Sequence, residues 1–157
     1  MKNTFTLLAA LLLLALHAPA QTTHRITANM NLQTEIDNAP SGDIYIVEGG
    51  VQNTPLDIDK KVTIFGTGYF MNATEASPGI ATVSHIRLKP GSDGSYISGL
   101  QTLSINISAN NVVIKRCYIE GEGNRIRIGY TGIGNDGGYW NGTANNVMIL
   151  QCYAPYY

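Results

Sequence analysis

Three groups of side chains in this sequence have the types and spacing for chemistry. Glu120, Glu122 and Asp136 come nearest to an acidic cluster, and hard carboxylate oxygens of this kind are what Ca2+ takes as ligands. Three carboxylates fall short of the roughly six to eight oxygens calcium prefers, and no calcium-loop spacing accompanies them, so solvated turn residues are the competing reading. Tyr130, Tyr139 and Trp140 lie in the stretch Gly129 to Gly142, which holds six glycines in fourteen residues. Aromatic faces on a rigid scaffold stack on sugar rings, which makes these three the candidate carbohydrate contacts; the alternative is that they cover the protein's own flank. Cys117 and Cys152, the chain's two cysteines, occupy the same phase of an internal repeat. In an exported protein that arrangement invites a disulfide, and a stack of two buried free thiols is the alternative.

Nothing else assembles a reaction centre. No paired carboxylates stand at a glycosidase-like separation, and no nucleophile, base and orienting acid come together. His24 and His85 are lone imidazoles and read as structural. Asp57 and Asp59 are two apart, share one face of a strand and read as exterior. The catalytic residues expected of this chain are therefore none.

These groups must be positioned by β-structure. The segment Ala109 to Ile119 (ANNVVIKRCYI) returns 35 residues later as Ala144 to Ala154 (ANNVMILQCYA), with seven of eleven positions identical. Self-similarity at such a period marks a chain built from stacked units. Val112, Ile114, Cys117 and Ile119 are expected to point inward, with Lys115 and Arg116 at a corner where the alternation slips by one. Val147, Ile149, Cys152 and Ala154 are their partners one unit on. Asn110–Asn111 and Asn145–Asn146 fall where corners are needed; Asn tolerates positive φ, and stacked amides can form a hydrogen-bonded ladder.

Short β-branched runs between turn residues predict strands at Asp43 to Val47, Val62 to Phe65, His85 to Leu88, Tyr96 to Leu100, Leu103 to Ile107, Val112 to Ile119, Arg125 to Ile128 and Val147 to Ala154. One helix is predicted over 31–39: Asn31 caps it, Leu32, Ile36 and Ala39 share a face, and Pro40 stops it. Strands without intervening helices exclude the doubly wound α/β folds, and a β-sandwich would not account for a reused eleven-residue segment.

Residues 1–20 read as a signal peptide: Lys2, an apolar run from Phe5 to Leu16, and the small-residue site Ala18-Pro-Ala20. The run is too short to span a bilayer comfortably, so a secreted or cell-surface location is expected, with no membrane span after cleavage. The formal charge of the whole chain is −1, and loss of Lys2 makes it one unit more negative. Such a balance leaves no electrostatic footprint for nucleic acid.

The segments Leu32 to Gly50 and Leu56 to Gly66, with Tyr96 to Leu100 and Asn111 to Ile119 after them, resemble right-handed parallel β-helix proteins of the pectin-lyase-like superfamily. The resemblance runs from about Ala28 to Ala154. It implies an all-β fold, a right-handed parallel β-helix over 21–157, with an N-terminal helix covering the apolar end of the solenoid and coils from residue 43 onward. Enzymes of that superfamily use Ca2+ or a basic residue to take a proton beside a uronate carboxylate, or hydrolyse polygalacturonate. Their Asn-Thr-Asp, Asp-Asp, Gly-His-Gly and Arg-Ile-Lys motifs are missing here, and Arg125-Ile-Arg127 matches only superficially. No Arg-x-Pro-x-x-Arg of pectate lyases occurs either.

Two functional classes follow. One is a noncatalytic extracellular β-helix module associated with polysaccharide. The other is a pectate-lyase-like lyase or glycoside hydrolase whose active residues lie in coils beyond Tyr157. Solenoids need capped ends. The second repeat lies at the end of the sequence, so the β-helix is expected to be incomplete, with further coils or another chain covering that end.

Overall fold

The computed structural model describes residues 20–52, 54–68, 79–120, 125–129, 132–133, 139–140 and 142–155. It is mostly β, with parallel sheets and one helix. The described residues open with β1 (Thr23–Ile26) and α1 (Leu32–Asn38). The chain then runs through β2 (Ile44–Val47), β3 (Gly50–Gln52) and β4 (Leu56–Ile58), followed by β5 (Thr63–Phe65), β6 (Ala81–Val83) and β7 (His85–Leu88). The next strands are β8 (Tyr96–Ser98), β9 (Gln101–Thr102), β10 (Ser104–Ile107), β11 (Val113–Lys115), β12 (Tyr118–Ile119) and β13 (Arg125–Ile128). An antiparallel ribbon of β14 (Gly132–Ile133) and β15 (Tyr139–Trp140) precedes β16 (Met148–Leu150).

From β2 onward the chain visits three sheets in rotation. The first sheet has the order β1-β2-β5-β8-β11-β16, the second β12-β9-β6-β3 and the third β13-β10-β7-β4. Every neighbouring pair in them is parallel. In-register pairing places like residues over like. Tyr45, Ile64, Ile97 and Ile114 form one column of the first sheet and are fully buried, as are Leu56, Ile86 and Ile105 in the third. This alternation of buried and outward residues is what a period-2 pattern produces in a sheet with one face on the core.

The two copies of the repeat lie side by side. Val113, Ile114 and Lys115 pair with Met148, Ile149 and Leu150, and Tyr118 bridges to Tyr153, all at the 35-residue offset. Val112, Ile114, Cys117 and Ile119 are fully buried, whereas Ile149 is 39% exposed. Among the described residues no strand pairs with the outer edge of β16. The expected single strand Val112 to Ile119 is broken into β11 and β12, because Arg116 takes φ 50° and turns the chain there. Gln151 repeats that turn with φ 53°, and Asn111 and Asn146 turn the preceding corner at 56° and 54°.

Side chains lock these corners. The Asn145 Nδ2 and backbone N–H both donate to Asn110 Oδ1 (3.1 and 2.9 Å), and Asn146 Nδ2 donates to Asn111 Oδ1 (3.1 Å). The ladder extends one rung further than the repeat, since Asn110 Nδ2 donates to Asp93 Oδ1 at 2.8 Å. Close approach is enforced elsewhere by glycine: a Cβ on Gly66 would stand 2.3 Å from the carbonyl oxygen of Gly99 in the neighbouring strand segment.

α1 forms as its signals direct. Asn31 Oδ1 accepts from the Thr34 N–H at 3.1 Å, and Leu32 and Ile36 are buried. The helix sits beside β4, an edge strand, and Gln33 imitates a neighbouring strand there. Its Nε2 donates to the Asp57 carbonyl (3.0 Å) and its Oε1 accepts from the Asp57 N–H (2.7 Å). His24 lies in β1, where it stacks on Tyr45, ring centroids 5.0 Å apart at 15°. None of the helices among the described residues is long and apolar enough to cross a membrane.

Candidate functional site

The outward face of the third sheet gathers charged and polar groups that lie far apart in the sequence. β4 reads apolar, polar, apolar, and β7 and β10 carry the same triplet after one further polar residue, so polar side chains alternate with buried ones and point away from the core. Pairing registers Asp57 with Arg87, Arg87 with Asn106, and Asn106 with Arg127. Successive strands stand about 4.8 Å apart, so this row spans roughly 14 Å across the sheet.

The row is neither deeply buried nor freely solvated. Asp57, Arg87 and Lys89 side chains are 14%, 16% and 17% exposed. Arg87 Nε lies 2.5 Å from Asp57 Oδ1 and Lys89 Nζ 3.6 Å from Oδ2. The Arg87 contact is ionic rather than an aligned hydrogen bond, and Asn106 Oδ1 is buried with no hydrogen-bond partner among the described residues. A parallel row holds His85 and Ser104, hydrogen-bonded from Nδ1 to Oγ at 2.9 Å. At the α1 end lies a cleft of about 310 Å3 bounded by Gln33, Asp37, Asp57, Asp59 and Lys89.

Along the row Arg87, Lys89 and Arg127 outnumber Asp57, while the cleft at the α1 end adds the carboxylates of Asp37 and Asp59. Guanidinium groups offer planar forks of N–H donors that match carboxylate and sulfate oxygens, and partial desolvation strengthens such contacts. The His85–Ser104 pair has the partners of a base and a nucleophile. The described residues contribute no carboxylate to orient His85, so the pair reads as a cross-strand hydrogen bond.

The residues singled out by sequence fall elsewhere. Glu120, just past β12, is exposed and accepts from Gln101 Nε2 on the neighbouring β9, where Gln101 pairs with Tyr118. Glu122 and Asp136 lie outside the described residues, as does Tyr130. Among the described residues no group of three His, Cys, Asp or Glu is arranged to hold a metal. Tyr139 and Trp140 form β15, paired with Ile133 and Gly132. Asp57 faces outward as expected, and Asp59, exposed just past β4, borders the same cleft.

Cys117 and Cys152 are free thiols in neighbouring strand segments, Cys117 fully buried and Cys152 partly exposed. Each crosses its left-handed neighbour to contact the carbonyl two residues back, Lys115 at 3.4 Å and Leu150 at 3.5 Å. The neighbouring Cys152 sulfur, together with burial, pushes the Cys117 thiol up, and the Cys117 thiol beside it draws the Cys152 thiol down despite its partial burial.

Sequence reading missed Arg87, Lys89 and Asn106 and dismissed Arg127. Their intervals along the chain are irregular, so no motif marks them. The only sequence signal was the recurring triplet of one polar residue between two β-branched or leucine residues, at Leu56 to Ile58, Ile86 to Leu88, Ile105 to Ile107 and Ile126 to Ile128. Compared with known proteins, the chain matches no family model, no curated protein and no solved structure.

Proposed function

We propose that this chain is an exported, noncatalytic module built as a right-handed parallel β-helix, and that it associates with acidic polysaccharide along the outer face of its third sheet. The rotation of the chain through three parallel sheets, with a buried column inside each, supports the β-helix. The N-terminal sequence supports export. The observation that carries the ligand class is the row Asp57, Arg87, Asn106 and Arg127, with Lys89 beside it. A rigid sheet presenting two cationic forks two strands apart, roughly 10 Å, suits an extended polymer with repeated carboxylates. Tyr139 and Trp140 remain in this reading as a separate, aromatic contact with the sugar rings.

The test is binding to polygalacturonate, alginate and a neutral glucan at low and moderate salt. Wild-type protein is expected to prefer the two polyuronates and to lose affinity as salt rises. Substituting both Arg87→Gln and Arg127→Gln should weaken polyuronate binding at least about tenfold, the equivalent of roughly 1.4 kcal/mol. Thermal melts of each variant separate lost binding from lost folding. Unchanged affinity in a folded double variant would sink the reading.

A further inference from the structure

The two thiols have a relationship that polysaccharide binding does not use. Cys117 lies between Lys115, paired with Leu150, and Tyr118, bridged to Tyr153, so Cys152 is its in-register neighbour. The backbone is locked on both sides: Arg116 N–H donates to the Leu150 carbonyl (3.0 Å) and Tyr153 N–H to the Cys117 carbonyl (2.9 Å). Tyr118 and Tyr153 stack beside them with ring planes 9° apart. Parallel neighbours have Cα atoms about 4.8 Å apart, inside the roughly 4.4–6.8 Å that a disulfide spans. The backbone spacing of the two segments is therefore one that a disulfide can bridge.

We propose that Cys117 and Cys152 form a dithiol–disulfide couple that staples β16 to the segment of β11 and β12, and that Cys152 reacts first. Accessibility decides the order, because Cys152 is partly exposed and Cys117 is fully buried. The co-reactant is a small-molecule disulfide. The Cys152 thiolate attacks one of its sulfurs, forming a mixed disulfide and releasing one small thiolate. Cys117 then gives up its proton and attacks the Cys152 sulfur, which expels the second small thiolate. Two protein thiols are oxidised, one small disulfide is reduced to two thiols, and the two thiol protons end on the released thiolates. The lowered Cys152 thiol and the raised Cys117 thiol fit this sequence of events.

The probe is oxidised glutathione in graded ratio to reduced glutathione, read by intact mass and peptide mapping. Wild-type protein should lose two hydrogens, carry no lasting adduct, and show any transient adduct on Cys152. Cys117→Ser should hold glutathione on Cys152, and Cys152→Ser should leave Cys117 unmodified. The oxidised protein should unfold at a higher urea midpoint than the reduced one and return on reduction. Two persistently free thiols, a stable adduct on wild-type Cys152, first reaction at Cys117, or an unchanged midpoint would each overturn the staple. The wild-type measurements decide the matter even where a serine variant does not fold.

Discussion

Asp43 is 1% exposed and still keeps its charge. Burial alone would push its carboxyl up, but the Thr22 N–H donates to Oδ1 at 3.0 Å and His24 Nε2 lies 2.7 Å from Oδ2, and these hold it below the ordinary value. A carboxyl with a folded pKa below its unfolded value of about 3.9 stabilises the fold above that pH, and the contribution disappears as pH falls through the folded value. The melting temperature is therefore expected to lose a component below about pH 4. Asp43→Asn should melt lower at pH 7 and show a shallower acid decline; parallel curves for the two proteins would contradict this. Residue-level turns were only partly legible. Asn111 and Asn146 announce a positive φ by their type, whereas Arg116 and Gln151 adopt the same backbone with no such signal and are betrayed only by a slip in alternation.

At the scale of elements, α1 was readable in full because a cap, an amphipathic face and a proline stop agree over nine residues. Its task was not. Gln33 closes the edge of β4 with two backbone hydrogen bonds, while Lys60 Nζ donates to the last carbonyls, Asp37 and Ala39, at 3.1 Å each. Gln33→Ala should cost about 1–2 kcal/mol in urea denaturation and hasten amide exchange at Asp57, because it frees that N–H. A loss confined to global stability, with exchange at Asp57 unaltered, would place the role of Gln33 elsewhere. The strands β1, β3, β6, β9, β14 and β15 went unread, and all but β1 hold only two or three residues, too few to display a period.

Over the whole molecule, stacking makes the worth of a side chain depend on its place in a column. Ile114 has Ile97 on one side and Ile149 on the other and is fully buried. Ile149 has the same identity and register but is 39% exposed. Ile114→Ala should cost about 3 kcal/mol and Ile149→Ala about 1 kcal/mol by chemical denaturation. Equal losses would mean that the β16 edge is covered in solution by another molecule or a further segment. The repeat placed Ile149 and Cys152 as inward partners; their pairing follows that reading, and their partial exposure comes from the edge of β16 that no described strand covers.

The sequence by itself determined the β-class, the helix, the 35-residue offset and the inward set Val112, Ile114, Cys117 and Ile119. These are local or self-referential properties, carried by period, residue type and identity between two copies. Only tertiary structure decided that Asp57, Arg87, Asn106 and Arg127 form one row. Parallel pairing joins residues across connections of unequal length, from Asp57 to Arg87 and from Arg87 to Asn106. No spacing rule along the chain predicts which polar residue will stand over which. The same physics makes the two cysteines an exception: they sit in a repeat of fixed length, so their register was in the sequence and only their difference in exposure waited for the fold.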